Sequence, residues 1–268
     1  MSMRKGRLEG KVVVVTGAAQ GIGFGCAEMI GAEGAAVIVS DINVEKGEAA
    51  AAKIRDAGGR AAFVRADVAS ESDCARLMQA AIDHFGCLTG LVNNAGWYPR
   101  ATLENTTTEF WDKIQDINLR GPFYCCKYAV PLMRANGGGS IVNMGSINGI
   151  QGLPTLVAYA AAKGGLLTLT RTLAGAYSRQ NIRSNYLIPG WVLTEGEVAL
   201  HTSGGHSFEE LSSKGASLGL GRHQTPLDSA YACIYLLSDE SAQVNGTILN
   251  VDAGSSTLPI QSADLYVG

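Results

Sequence analysis

The chain lacks a long early apolar run: Val12 to Val15 is the longest near its start, and it breaks straight into Thr16-Gly17. A bilayer-spanning helix needs about 20 apolar residues, and a signal-peptide core also needs more than this run provides, so a soluble cytosolic protein is expected. A basic stripe is missing too. Lys and Arg number 21 against 24 Asp and Glu, giving a net charge of -3 and a pI near 5.8. Nothing in that balance would displace counterions from phosphates, which argues against nucleic-acid and membrane partners. The six cysteines, Cys26, Cys74, Cys87, Cys125, Cys126 and Cys233, contain no C-x-x-C spacing. Neither a zinc ribbon nor a redox pair is suggested, and reduced, mostly buried thiols are expected. His84, His201, His206 and His223 form no H-E-x-x-H pattern, so no catalytic metal is predicted.

What the chain has is length and apolar content. With 268 residues, of which 46% are hydrophobic, it can bury the core of one sizeable domain spanning 1–268. Short Val/Ile-rich runs recur at Lys11–Thr16, Ala36–Ser40, Ala61–Arg65, Leu88–Asn93, Ser140–Gly145, Ile182–Leu187 and Gly246–Val251. Alanine-rich amphipathic stretches such as Val44–Ala57 and Ser70–Phe85 lie between them. This is the rhythm of a parallel sheet joined by right-handed crossovers, and it predicts an α/β Rossmann-type doubly wound fold of about seven strands. Only two segments read as loose: 194–221, with a short helical patch at Phe208–Lys214, and a tail from about 255. The first follows a strand end, where such sheets bind ligands, so it is a candidate lid or else an ordinary surface insertion.

Glycine is needed where backbone must take positive φ or approach a phosphate, and Thr16-Gly17-Ala-Ala-Gln20-Gly21-Ile22-Gly23 sits where the first strand meets the first helix. Asp41 closes the second strand, where a carboxylate could accept from both adenosine ribose hydroxyls and repel a 2′-phosphate. With no Arg or Lys at Gln20, Ile42 or Asn43, NAD is favoured over NADP. Asp41 could instead cap the following helix.

In Tyr159-Ala-Ala-Ala-Lys163, four residues make one helical turn and set a phenol and an ammonium on one face. Thirteen residues before Tyr159, a strand-like run ends at Ser146. Oxidising an alcohol requires a base, and bringing a phenol from ~10 to about 7 takes roughly 4 kcal/mol, which one cation ~4 Å away supplies at an effective dielectric of ~20.

Together these motifs resemble the classical short-chain dehydrogenase/reductase family over nearly the whole chain. The resemblance implies a tetrad of Asn118, Ser146, Tyr159 and Lys163, with Tyr159 the acid/base, Lys163 on the nicotinamide ribose, Ser146 on the substrate oxygen and Asn118 holding a water through its backbone. It also implies that the cofactor is bound by Gly17, Gln20, Gly21, Ile22 and Gly23, by Asp41, and by Asp67 and Val68 beside adenine. Asn94, Ala95 and Gly96 would form the floor, and Pro189, Gly190, Val192 and Thr194 would grip nicotinamide. A homo-oligomer is implied as well. Ala176, Ser184 and Tyr186 depart from the commonest pattern and are expected to affect packing, while Gly164 and Gly165 suggest close approach of another helix or subunit, or local bending.

Trp97, Tyr98, Arg100, Asn148, Gln151 and Trp191 follow strand ends near the tetrad, and His201 and His206 could join them if the lid closes. Rings beside amides suit a sugar or polyol, although a steroid or aryl alcohol would also fit. Three functions remain open: an NAD-dependent dehydrogenase, a 3-oxoacyl carrier-protein reductase using NADPH, and a non-catalytic NAD-sensing scaffold.

Overall fold

The valines of Val12–Thr16 (β1) show why the sheet forms. Val12 and Val14 join one core cluster while Val13 and Val15 join another, because successive strand side chains point to opposite faces. Each is buried, contributing about 1.5–3 kcal/mol, so the strand must be covered by helices on both sides. The computed structural model describes residues 6–257 apart from 204 and 206.

β1 is followed by α1 (Gly21–Ala32), β2 (Ala36–Asp41), α2 (Val44–Asp56), β3 (Arg60–Arg65), α3 (Glu71–Phe85) and β4 (Gly90–Asn93). Then come α4 (Thr108–Gln115), a π-helical turn (Asp116–Arg120), α5 (Gly121–Ala135), β5 (Gly139–Met144), α6 (Val157–Tyr177) and β6 (Ile182–Pro189). The chain continues through α7 (Glu195–Ser203), α8 (Phe208–Lys214), α9 (Pro226–Leu237) and β7 (Ile248–Val251). The strands pair in parallel in the order β3-β2-β1-β4-β5-β6-β7. That order reverses between β1 and β4, so the crevice of a doubly wound sheet opens beyond Thr16 and Asn93. One core layer holds Ile30, Ile54 and Ile234 from α1, α2 and α9; the other holds Leu77 and Met133 from α3 and α5.

Five of the six cysteines are buried. Cys26 of α1 meets Cys233 of α9 with sulfurs 3.6 Å apart, and Cys74 of α3 meets Cys125 of α5 at 3.7 Å. These thiol pairs join elements distant in sequence, which the spacing alone could not show.

The segment 194–221 differs from its predicted looseness. α8 forms where the helical patch was expected, with Ser207 and Glu210 closing a capping box. α7 is an additional helix: the Thr194 hydroxyl accepts from the Glu197 N–H at 3.2 Å, and Glu195 and Glu197 complement the positive end of the helix dipole. His206, and the tail beyond residue 257, lie outside the described residues. Among the described residues no helix is long and apolar enough to cross a membrane, and no group of three His, Cys, Asp or Glu could hold a metal.

Candidate active site

The turn from β1 into α1 is a cradle shaped by missing side chains. Gly17 and Gly21 have φ of +62° and +58°, in the region that favours glycine. A Cβ on Gly17 would lie 2.8 Å from Ala95 Cα, and one on Gly23 would lie 2.1 Å from the Gly17 oxygen. The Asn94 amide donates to the Thr16 and Gly17 carbonyls at 2.9 and 3.0 Å, which fixes the turn against β4. α1 has no side-chain cap and no acidic residue in its first turn. Its first N–H groups therefore remain available to an anion, and a dinucleotide pyrophosphate fits this end of the cleft.

A cavity of about 490 Å³ opens there. Gly17, Gln20, Gly21, Ile22, Gly23, Asp41, Asp67, Val68, Asn94, Ala95, Gly96, Tyr159, Lys163, Pro189 and Thr194 all line it. Asp41 is held by the Ala19 and Asn43 N–H groups at 3.2 and 3.0 Å. α2 is capped instead by Asn43, whose side chain accepts from the Lys46 N–H at 3.0 Å. A cation not anticipated from the residues next to Asp41 also reaches the rim: Lys46 Nζ donates to Gln20 Oε1 at 2.6 Å and lies 3.9 Å from Glu195.

β5 delivers Gly145 and Ser146 to the same crevice, and α6 presents Tyr159 and Lys163 one turn apart. Lys163 is buried, its Nζ donating to the Met144 carbonyl at 2.8 Å and sitting 5.5 Å from the Tyr159 ring centroid. Burial pushes Lys163 down to about 8. Tyr159 is displaced upward from the ordinary phenol value, not lowered as the charge arithmetic expects. Burial is the main cause; the Ser146 hydroxyl opposes it, while Tyr186, Tyr98 and Glu197 add to it. A neighbouring cation lowers a phenol, but removal from water disfavours the phenolate and dominates here.

Asn118 lies on the π-helical turn and is fully buried. Its amide nitrogen donates to the Trp97 and Ile114 carbonyls at 2.7 and 3.0 Å, while Oδ1 accepts from the Trp97 N–H at 3.3 Å. The side chain thus ties the loop after β4 to this turn. Of Gly164 and Gly165, Gly165 permits a close approach within the chain itself, since a Cβ there would lie 2.9 Å from Leu119 Cδ2, whereas a Cβ on Gly164 would make only ordinary contact with the Gly149 oxygen.

Tyr186 does more than pack. Its hydroxyl accepts from the Ser146 N–H and donates to the Lys163 carbonyl, both at 3.1 Å, and its side chain is completely buried. The ring fits because Gly145 and Gly149 carry no side chain; a Cβ on Gly145 would come within 2.1 Å of it. Tyr186→Phe leaves the part-buried Ser146 N–H without this partner and removes a second bond to the helical Lys163 carbonyl, and is expected to lower unfolding free energy by about 1–3 kcal/mol in urea denaturation. An unchanged midpoint would show that neither bond matters to stability.

A second cavity, of about 250 Å³, adjoins the first and shares Ile22, Tyr98, Gly145, Tyr159, Pro189 and Thr194 with it. Ser146, Gly190, Val192, Arg100, Asn148, Gln151, Trp191 and His201 line it, as does Glu197, which no sequence motif marks. Trp97 faces the larger cavity, packed on Phe110 with Lys113 Nζ 4.3 Å from its ring centroid, and is not in this pocket.

A family model described as Enoyl-(Acyl carrier protein) reductase matches residues 17–256. The 2-(S)-hydroxypropyl-CoM dehydrogenase 3 of Xanthobacter autotrophicus is 36% identical, over 94% of this chain and 99% of its own. Cyclopentanol dehydrogenase of Comamonas sp. is also 36% identical, over 93% and 98% of the two chains. A solved structure from Beutenbergia cavernae, provisionally named an NAD(P)-dependent gluconate 5-dehydrogenase and holding NADP at low occupancy, superposes with a TM-score of 0.85. It is 32% identical and covers 94% of this chain and 98% of its own. With a parallel sheet of the same architecture and relatives that are oxidoreductases of alcohols, the chain belongs to the classical short-chain dehydrogenase/reductase family.

Proposed function

We propose that this protein is an NAD-dependent oxidoreductase that interconverts a secondary alcohol and its ketone. The observation carrying this reading is that Tyr159 lines both cavities at once, with Ser146 on the side of the smaller and Lys163 on the side of the larger. An alcohol in the small pocket and a nicotinamide in the large one would then meet at the phenol. Bound there, the nicotinamide would supply the hydride acceptor.

Tyr159 takes the hydroxyl proton in oxidation and returns it in reduction. Ser146 donates a hydrogen bond to the substrate oxygen, orienting it and stabilising charge as it develops. Lys163, one turn along the helix from the phenol, stabilises the phenolate and would hold the nicotinamide ribose of a bound dinucleotide, while Asn118 would take the fourth place through its backbone. Asp41 would accept from the adenosine ribose hydroxyls and disfavour a 2′-phosphate, which favours NAD. Of the relatives' substrates, a cyclic secondary alcohol such as cyclopentanol suits a compact pocket with Tyr98 and Trp191 in its walls.

A second reading, a carrier-protein reductase using NADPH, draws on the description of the matching family and on Lys46 at the rim of the larger cavity. One experiment separates the two: secondary alcohols, polyols and 3-oxoacyl thioesters assayed by reduced-nicotinamide absorbance with each cofactor. Turnover of thioesters with NADPH, and none of alcohols with NAD, would overturn the preferred reading. In the same assay Asp41→Ala should shrink the NAD preference by about 10- to 100-fold, the worth of hydrogen bonds to a charged group. An unmoved ratio would leave Asp41 only its bonds to Ala19 and Asn43.

A further inference from the structure

We infer that Glu197 is the specificity-determining residue of the smaller cavity, selecting uncharged alcohols with a second hydroxyl and turning away substrates that carry an anion there. The inference rests on the reading of this cavity as the alcohol site. Glu197 comes from the first turn of α7, and its side chain is 14% exposed. Two groups from separate parts of the chain fix it: Trp191 Nε1, after β6, donates to Oε1 at 3.0 Å, and His201, one turn along α7, faces the same oxygen at 3.0 Å. A carboxylate held this way cannot swing out to avoid an incoming anion.

Its charge is felt across the cavity. Burial and Glu197 push the Tyr98 phenol up to about 12, and Glu197 is among the groups that hold the proton on Tyr159. Besides His201, whose ring is already engaged by Glu197, the other charged residues among the described ones lining the cavity are Asp252 and Arg100. Asp252 is buried and accepts from the Gly254 and Ser256 N–H groups at 3.1 and 2.8 Å. Arg100 is exposed at the mouth, where solvent screens it. Two sheltered carboxylates against one solvated guanidinium make the interior a poor place for an anion. A carboxylate also offers about four acceptor positions, so a third donor, a substrate hydroxyl, can be accommodated beside the two named.

The test uses the full chain with NAD and three matched probes: cyclohexanol, cis-1,2-cyclohexanediol and 2-hydroxycyclohexanecarboxylate. The wild-type protein is expected to favour the diol over the hydroxy acid by about 100-fold in kcat/KM, the effect of a like charge ~6 Å away at an effective dielectric of ~20. Glu197→Gln keeps the acceptor for Trp191 and removes the charge, and should cut that ratio at least tenfold, chiefly by a gain on the acid. Wild-type preference for the acid overturns the inference without need of the variant. An equal ratio in wild type and Glu197→Gln also overturns it, while turnover of cyclohexanol leaves the alcohol-site reading standing. Absence of turnover with all three overturns that reading and the inference with it.

Discussion

Tyr159→Phe is expected to lower kcat by about 10²- to 10⁴-fold, the usual worth of a positioned acid/base, while dinucleotide affinity moves by no more than a few-fold. Phenylalanine keeps the ring that packs against Tyr98 at 5.9 Å between centroids and lies beside the Lys163 ammonium. Only the hydroxyl is lost. The cradle that would hold the pyrophosphate is built by Gly17, Gly21, Gly23 and Asn94, none of which is touched, and the Ser146 N–H stays on Tyr186. Chemistry and binding are therefore separable by one oxygen atom. Single-turnover absorbance reports the first, and a fluorescence titration with the dinucleotide reports the second. A variant turning over within tenfold of the wild type would take the phenol out of the reaction.

Much of this arrangement was legible in the sequence, for local reasons. Tyr159 and Lys163 share a face because a helix turns every 3.6 residues, and Ser146 arrives with them because β5 ends just before it. The glycine cradle was legible because positive φ at Gly17 and Gly21 excludes most other residues. What stayed hidden depends on the reach of side chains between separate elements. Lys46 lies five positions beyond Asp41 yet returns to Gln20 because α2 starts beside the glycine turn. Glu197 was hidden behind a Gly/Ser-rich segment that does not look helical, and its two partners come from after β6 and one turn along α7. Tyr186 looked like a packing substitution because nothing local pairs a strand residue with Gly145 and Gly149, the two glycines that make room for it. The direction in which the phenol is displaced is hidden for a related reason: the cation is visible in the sequence, whereas burial belongs to the fold.

Lys163→Met exposes the conflict between stability and chemistry at this site. In the protein without dinucleotide, burial holds the folded-state lysine at about 8 against 10.5 for an ordinary lysine. Between those values the unfolded chain binds the proton and the folded chain does not, so unfolding free energy rises with pH across that window. Lys163's own share of that change from pH 8 to 10 amounts to about 2–3 kcal/mol, read as the difference between wild type and variant, because Cys26, Cys125 and Cys126 from about pH 9 and Tyr159 from about 10, all with raised folded values, make stability fall in both proteins as the unfolded groups ionise. Methionine fills the same slot without a charge, so the variant should lack the rise and should equal or exceed the wild type in stability at pH 7, even after losing the bond to the Met144 carbonyl. Its turnover should nevertheless fall by about 100-fold or more, because a cation 5.5 Å from the phenol ring stabilises the phenolate by about 3 kcal/mol at an effective dielectric of ~20. Urea titrations at pH 7 to 10, with kcat measured on the same samples, check both halves. If the two proteins followed the same stability profile, the ammonium would be solvated rather than buried. If the variant kept full turnover, the phenol would not depend on it. A buried cation that weakens the fold and is kept only because the neighbouring phenol needs it is what an active site built at the expense of stability looks like.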